Sequence, residues 1–364
     1  MHIKKIKYYN FESLFEVPIH IKGHTLNTKK SIIISIEDEL GNIACGDISP
    51  LPFYSTESFE SVCENTGDLY GKIIGFATDI STDPIDVISS LKNFAFSSSV
   101  MFGLETALLN LIASRKKVNL YDFFGKEHYR YVKIAGLLTD LNSNSHKEIS
   151  RMVNDGHKSV KIKLGRADID FELKTLLMLL GFFHNKILFR LDVNGLWSFD
   201  EAVYFLNAIK SSDSIEFVEE PLLDYMEINR LHELFSIPFA LDENLQNYLL
   251  LSGSTLNSIS AGVIKPSVIG GISESLRLIS LLNQNSKKIV ISDSYSNGLG
   301  LAPLINLASA CCESIPMGFD TYSNMKTDVL KKKFKVKNGK FDLRNICKYS
   351  KRINTAKFEG LTAF

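Results

Sequence analysis

Ser159-Val160-Lys161-Ile162-Lys163, Phe189-Arg190-Leu191-Asp192-Val193-Asn194, Ile215-Glu216-Phe217-Val218-Glu219-Glu220-Pro221, Phe239-Ala240-Leu241-Asp242-Glu243 and Val263-Ile264-Lys265-Pro266 are five apolar runs that each end in charge. Every run has the length of a strand, is rich in Val, Ile, Leu and Phe, and is followed by a loop and a helix-like stretch. That alternation is the pattern of successive strand-helix units. The charged ends Asp192, Glu219, Asp242 and Lys265 follow one another at intervals of 27, 23 and 23 residues. Such an interval fits one strand, one helix and two loops, the repeat of a parallel barrel. Charges at the carboxyl ends of consecutive barrel strands converge on one mouth.

Side chains at i and i+2 of a strand share a face. Lys161 and Lys163 therefore share one face, with Val160 and Ile162 on the other. Taken alone, the tetrapeptide reads as a surface strand with its lysines in water. Helices cover the outside of a parallel barrel, so the aliphatic face must point outward and the lysines into the mouth. The same logic turns Asp192, Asn194, Glu219 and Lys265 inward. Three carboxylates at one mouth repel unless a cation neutralises them, and hard carboxylates suit Mg²⁺, with Mn²⁺ as an alternative. The flanking lysines would feel the metal and each other, which favours a neutral amine that can act as a base.

Outward from this region, strands are expected near residues 132, 160, 189, 216, 239, 263, 290 and 319, and eight is the number a closed barrel requires. The first would be Tyr131-Val132-Lys133-Ile134-Ala135-Gly136-Leu137-Leu138. Ser198 and Glu201 form a capping box before Ala202-Val203-Tyr204-Phe205-Leu206. Ser31–Ile36 and Ile43–Ile48 predict a hairpin around Asp38–Asn42, with Gly41 able to take a positive φ. Pro18–His24 has no clear period and reads as a mobile loop. Helical periodicity runs from about 56 to 115, with Thr82-Asp83-Pro84 as a start signal and Leu104, Leu108 and Leu111 along an apolar face. Lys331–Leu343 alternates apolar and charged residues around Asn338-Gly339, a hairpin signal whose strands are expected to fold back on the first domain. The fold class is α/β: a modified (β/α)8 TIM-type barrel, (β/α)7β-like, over 131–322. Residues 1–130 form an α+β capping domain to which 323–364 return.

Lys plus Arg and Asp plus Glu each number 41, so no global field favours nucleic acid or an anionic membrane. Five cysteines show no metal-binding spacing and cannot all pair within one chain. The start, Met1-His2-Ile3-Lys4-Lys5-Ile6-Lys7, lacks a signal-peptide core, and a cytoplasmic location is expected.

The order and spacing of Gly46-Asp47-Ile48-Ser49-Pro50, Phe102-Gly103-Leu104-Glu105, Lys161-Ile162-Lys163, Asp192-Val193-Asn194, Glu219-Glu220-Pro221, Asp242-Glu243 and Lys265-Pro266-Ser267-Val268-Ile269-Gly270-Gly271 resemble the enolase superfamily. Ser292-Asp293-Ser294, Gly298-Leu299-Gly300 and Phe319-Asp320-Thr321 fit the same pattern. The resemblance covers nearly the whole chain, and within the superfamily it is strongest to the dehydratases that form o-succinylbenzoate from a succinyl-hydroxycyclohexadiene carboxylate. It implies that Asp192, Glu219 and Asp242 hold Mg²⁺, that Lys163 is the base and then the acid, that Lys161 tunes its neighbour, and that Lys265 stabilises the anion from the opposite face. The partner is a small-molecule carboxylate. Asn194, Gly270, Gly271, Ser292 and Ser294 are the candidate substrate contacts. Asp293 and Met101 depart from the family pattern, where a small neutral residue and an arginine are common. The loops His20–His24 and Pro50–Ser55 are expected to close over the site.

Racemisation of N-acylamino acids would use Lys163 and Lys265 equally well. Dipeptide epimerisation is disfavoured because Asp320 is followed by Thr321 and Tyr322, and a mandelate-racemase-like base because Ser292–Asn297 holds no histidine. A catalytically silent barrel serving as a scaffold is the reading from a different class, set against the presence of all six charged residues.

Overall fold

A computed structural model describes residues 1–251, 256–312 and 315–360. The chain begins with β1 (Ile3–Ile21), β2 (His24–Asp38) and β3 (Ile43–Ile48), an antiparallel sheet in which β2 is central. Ile32, Ile33, Ile34 and Ile36 are fully buried because helices cover one face of this sheet and the barrel meets it elsewhere. The expected turn at Asp38–Asn42 is present, with Gly41 at φ 79°. Pro18–His24 departs from its expected mobile-loop character. Ile19, His20 and Ile21 pair with Leu26, Thr25 and His24, and the chain reverses at Lys22 and Gly23, both with positive φ. A register shift between Leu14 and Ile19 breaks the alternation, which is why no period was legible there.

The helix Ser98–Lys116 packs on this sheet and is buried nearly all round, including Leu104, Leu108 and Leu111. Each such leucine contributes roughly 1.5–3 kcal/mol by leaving water. Contact with β3 is backbone to backbone: a Cβ on Gly46 would lie 1.9 Å from the carbonyl oxygen of Gly103. Asp83 caps the helix Pro84–Ser89 by accepting from the Ile85 amide, with Pro84 in its first turn.

The barrel region divides where the sequence suggested one strand. Tyr131–Lys133 is β4, while Gly136–Leu138 is β5, the first strand of a parallel sheet. The sheet continues through β6 (Ser159–Lys163), β7 (Leu188–Asp192), β8 (Ile215–Glu219), β9 (Phe239–Leu241), β10 (Ala261–Ile264) and β11 (Lys288–Ile291), in that spatial order. The expected eighth strand near 319 is reduced to two parallel bridges, Met317 to Ile134 and Gly318 to Ser292. Closure rests on four backbone bonds: Met317 and Ala135 to Lys133 and Met317, and Gly318 and Asp293 to Ile291 and Gly318. Ser198 and Glu201 make the capping box of helix Phe199–Ile209.

A register shift where β7 meets β8 brings Glu216 against Arg190 and Ser159, although Phe217 and Glu219 carry the inward alternation. Phe217, Ala240, Ala261, Val263 and Val290 form a small separate core that fills the barrel. Arg190 is 2 % exposed and also donates to the Pro316 carbonyl, so this buried charge is fully partnered.

In the tail, Asn338 and Gly339 form the expected turn with positive φ at both. The strand after it, β12 (Lys340–Asp342), pairs with β4 rather than with Lys331–Val336. The final strand β13 (Glu359–Gly360) adds to β1. The hairpin expected from the alternation is therefore not formed: across the turn, among the described residues, only Lys337 bridges Lys340, and Lys331 donates to the Arg352 carbonyl instead.

Candidate functional site

Parallel pairing sets the site. In β6 and β7 Lys163 lies opposite Asp192, and in β7 and β8 Asp192 lies opposite Glu219. Asp242 directly follows β9, and Lys265 directly follows β10 and opens the short helix Pro266–Ile269. Val160, Ile162, Leu191, Val218 and Ile264 are fully buried on the outer face, where helices cover them. Their burial forces the alternate, charged residues into the barrel mouth.

The charges form two connected groups. Lys161 Nζ lies 2.9 Å from Asp192 Oδ2 and 2.8 Å from Glu219 Oε1. Lys163 Nζ donates to Asn194 Oδ1 at 2.9 Å and stands 3.6 Å from Asp192 Oδ2. On the other side, Lys265 bonds Asp242 and donates to the Tyr54 hydroxyl at 2.6 Å. Asn194 links the groups further by donating to Glu243 Oε1 at 3.2 Å. Glu220 braces the frame, accepting from the Asp242 and Asn244 amides and from Asn244 Nδ2.

Electrostatics separate the three lysines. Burial, reinforced by the positive charges of Lys161, Arg166 and Lys265, pulls the Lys163 ammonium below the ordinary lysine range against the attraction of Asp192. For Lys161, burial is outweighed by Asp192 and Glu219, and its pKa rises. Lys265 rises likewise because Asp242 overcomes its burial. Burial raises Glu219 and Asp242, with neighbouring acids adding to the effect, whereas Lys161 and Lys163 hold Asp192 low despite its burial.

Among the described residues, no three acidic, histidine or cysteine side chains are gathered closely enough to hold a metal ion. The compensating charge in this structure comes from lysine. The donor set itself fits a hard divalent cation: Asp192, Glu219 and Asp242 are 1 %, 1 % and 5 % exposed, stand at adjacent strand ends, and in two cases resist ionisation without added positive charge.

The other sequence candidates divide. Asn194 joins the site. Gly270 ends the short helix at φ 112° and lines an open groove of about 230 Å³ with Lys92, Phe96, Met101, Ile269 and Glu274. Gly271 faces a protein carboxylate: Glu105 accepts from the amides of Ile272 and Ser273 and from the Ser273 hydroxyl. A Cβ on Gly271 would lie 2.4 Å from Glu105 Oε2, which is the reason for glycine there. The Gly271 amide, a candidate for a substrate carboxylate, itself donates to the Pro266 carbonyl at 2.8 Å, and the two amides after it are taken by the cap. Ser292 Oγ donates to the Gly318 carbonyl and Ser294 Oγ bonds Ser267 Oγ, so both are engaged within the protein. Asp293 turns inward and accepts from the Ser296 amide and the Thr321 hydroxyl. Asp320 accepts from the Leu137 amide and serves barrel closure.

Sequence reading named the Pro50–Ser55 loop without finding Tyr54, whose phenol is the cap's contact with Lys265. His24 stacks on Phe53 at 3.7 Å between ring centroids, joining the two expected lid segments. An aromatic pair next to a Leu-Pro loop was visible in sequence, but its target was not.

A curled parallel sheet with lysines on two sides of three carboxylates, covered by an antiparallel cap, defines the class: a TIM-type barrel with a charged mouth under a capping sheet. The Enolase C-terminal domain-like family matches residues 144–346, more than half of the chain. The chain belongs to this family and to the enolase superfamily. The o-succinylbenzoate synthase of Aliivibrio fischeri strain MJ11 is 26% identical over 332 residues, covering 89% of this chain and 92% of that protein. The Haemophilus influenzae o-succinylbenzoate synthase is 24% identical, with 90% and 93% covered. Protein PHYLLO of Arabidopsis thaliana is 28% identical over 77% of the chain, which spans only 18% of that protein's length. Among solved structures, the Bacillus subtilis L-Ala-D/L-Glu epimerase superposes with a TM-score of 0.82 at 20% identity, covering 94% and 96% of the two chains. A magnesium complex of an enolase superfamily member from Roseovarius nubinhibens gives 0.84 at 14% identity, covering 100% and 99%. No helix among the described residues is long and apolar enough to cross a membrane.

Proposed function

We propose that this enzyme is an o-succinylbenzoate synthase, which removes a proton next to a carboxylate and expels hydroxide to make an aromatic ring. The observation that carries the reading is the placement of two lysines on opposite sides of the same carboxylates, Lys163 beside Asp192 and Asn194 and Lys265 bonded to Asp242, with burial pulling Lys163 down and Asp242 holding Lys265 as a cation. The two synthases compared above, alike over nine-tenths of the chain, support the choice of substrate.

Asp192, Glu219 and Asp242 would hold Mg²⁺, or Mn²⁺, with Lys161 adjusting its contacts to Asp192 and Glu219. Bound there, the ion supplies the positive charge that stabilises a second negative charge on the substrate carboxylate. Lys163 Nζ takes the proton from carbon, and Asn194 Oδ1 orients that nitrogen. The electron pair moves into the carboxylate to give an enediolate. Lys265 faces the opposite side, where its ammonium stabilises the delocalised anion. Lys163 then returns its proton to the departing hydroxide, so water leaves as the carbon-oxygen bond breaks and the ring becomes aromatic. Tyr54, brought by the cap, closes the Lys265 side and limits water. Five free cysteines suit the reducing cytoplasm as its compartment.

The alternative is racemisation of an N-acylamino acid, favoured by the presence of a lysine on each side. The test follows ultraviolet absorbance as the protein meets the hydroxycyclohexadiene substrate, with Mg²⁺ and then with chelator. Metal-dependent formation of o-succinylbenzoate is expected. Failure of folded, Mg²⁺-loaded protein to convert it, together with α-proton exchange of N-acylamino acids in heavy water, would replace the dehydratase by the racemase.

A further inference from the structure

Lys29 lies outside the machinery described above. It sits on β2 of the cap, 2 % exposed, and its Nζ donates to the Ser294 carbonyl at 2.6 Å. A lysine is seldom buried so completely without a partner, and here the partner belongs to the barrel. Burial lowers its pKa to about 8, while Asp293 and Asp47 act to keep the charge. Asp47 comes from β3 and accepts from Asn297 Nδ2 at 2.9 Å, and Asn297 Oδ1 caps the helix Gly298–Cys311. Asp293 is held by Ser296 and Thr321. Ser294, whose carbonyl binds Lys29, also bonds Ser267 through its hydroxyl at 3.0 Å. Ser267 lies two residues after Lys265, in the turn closed by the Val268 and Ile269 amides on the Lys265 carbonyl.

The geometry points to Lys29 as a positioning residue: an ammonium delivered by the cap that fixes Ser294, and through Ser267 the turn that sets Lys265 in place. The chain of contacts makes the Lys265 side of the mouth depend on cap docking, whereas Lys161 and Lys163 stand on β6 and are placed by strand pairing and by their bonds to Asp192, Glu219 and Asn194, all within the barrel. The catalytic part of this inference rests on the function proposed above; the placement of Lys265 does not.

The test uses K29M and K29R in the full chain, read in two ways. Brief acetic anhydride labelling of the folded protein, resolved by peptide mass spectrometry, compares Lys265 with Lys161 and Lys163. In K29M, Lys265 labelling is expected to change severalfold relative to the other two, and K29R to restore the native ratio. In the dehydration assay, kcat of K29M is expected to fall on the order of 10- to 100-fold with KM changed little, the scale of a small misplacement of a reacting group. If K29M fails to fold, K29M/D47N removes the opposing charge as well and carries the same expectation. A folded K29M with native labelling and native kcat overturns the proposal. Wild-type protein without dehydratase activity refutes the functional reading, and the labelling ratio still decides the placement of Lys265.

Discussion

Replacing Glu105 by glutamine should remove a pH dependence that the cap imposes on the barrel. The carboxyl is fully buried and meets three donors from the first turn of helix Ile272–Gln284. Burial pushes its pKa from 4.5 to about 7, even though Ser273, Ile272 and Lys92 favour the charged form. A folded pKa above the unfolded one means that the folded state binds the proton more tightly. The resulting stabilisation is full below the unfolded value of 4.5 and is lost as pH rises through about 7. From pH 5 to pH 8, protonation of this one group is worth about 2.5 kcal/mol, given roughly 1.36 kcal/mol per pKa unit. Glutamine keeps the shape and one acceptor and cannot titrate. Urea unfolding of wild type and E105Q at both pH values should therefore show wild type gaining on the variant by about this amount at pH 5, with other titrating groups cancelling in the difference. The opposite trend, wild type gaining on E105Q as pH rises, would refute the reasoning. It would mean that three donors at a helix start outweigh burial and hold the carboxylate charged.

Four further outcomes follow from the same geometry. K163A should abolish proton abstraction while Mg²⁺ affinity, measured by calorimetry, stays near native; near-native turnover would remove Lys163 from the mechanism. Y54F deletes the phenol that meets Lys265 and should lower kcat by roughly tenfold, since one hydrogen bond to a charged group is worth about 1.5–3 kcal/mol; an unchanged kcat would make Tyr54 a packing residue. G271A drives a Cβ to 2.4 Å from Glu105 at a φ of 97°, and thermal unfolding should show a loss of about 1–3 kcal/mol for the strained backbone alone. The combination G271A/E105Q should lose less than the two single changes added together, because the pair shares one contact.

Much of the architecture was legible in local pattern. The spacing of charged strand ends gave the parallel barrel, because strand period and helical crossover length are set by backbone geometry and repeat along the chain. The inward facing of Lys161, Lys163, Asp192, Glu219 and Lys265 followed from one rule, that apolar side chains on the outer face must meet helices. The capping box at Ser198 and the turns at Gly41 and Asn338-Gly339 are likewise governed by a few neighbouring residues.

Contacts between distant segments were decided only by the tertiary structure. Sequence could not show that Glu105 would fill the helix start beyond Gly271, that Tyr54 would reach Lys265, or that Lys29 would cross from the cap to Ser294. It also assigned Lys340–Asp342 a hairpin partner in Lys331–Val336 where the structure pairs it with β4, and it merged β4 with β5, since alternation is the same whichever strand lies alongside. A strand or a cap is specified by residues a few positions apart and so can be read along the chain. Which buried carboxylate or ammonium a given amide meets depends on how whole layers pack, and that is settled only when the cap and barrel close on each other.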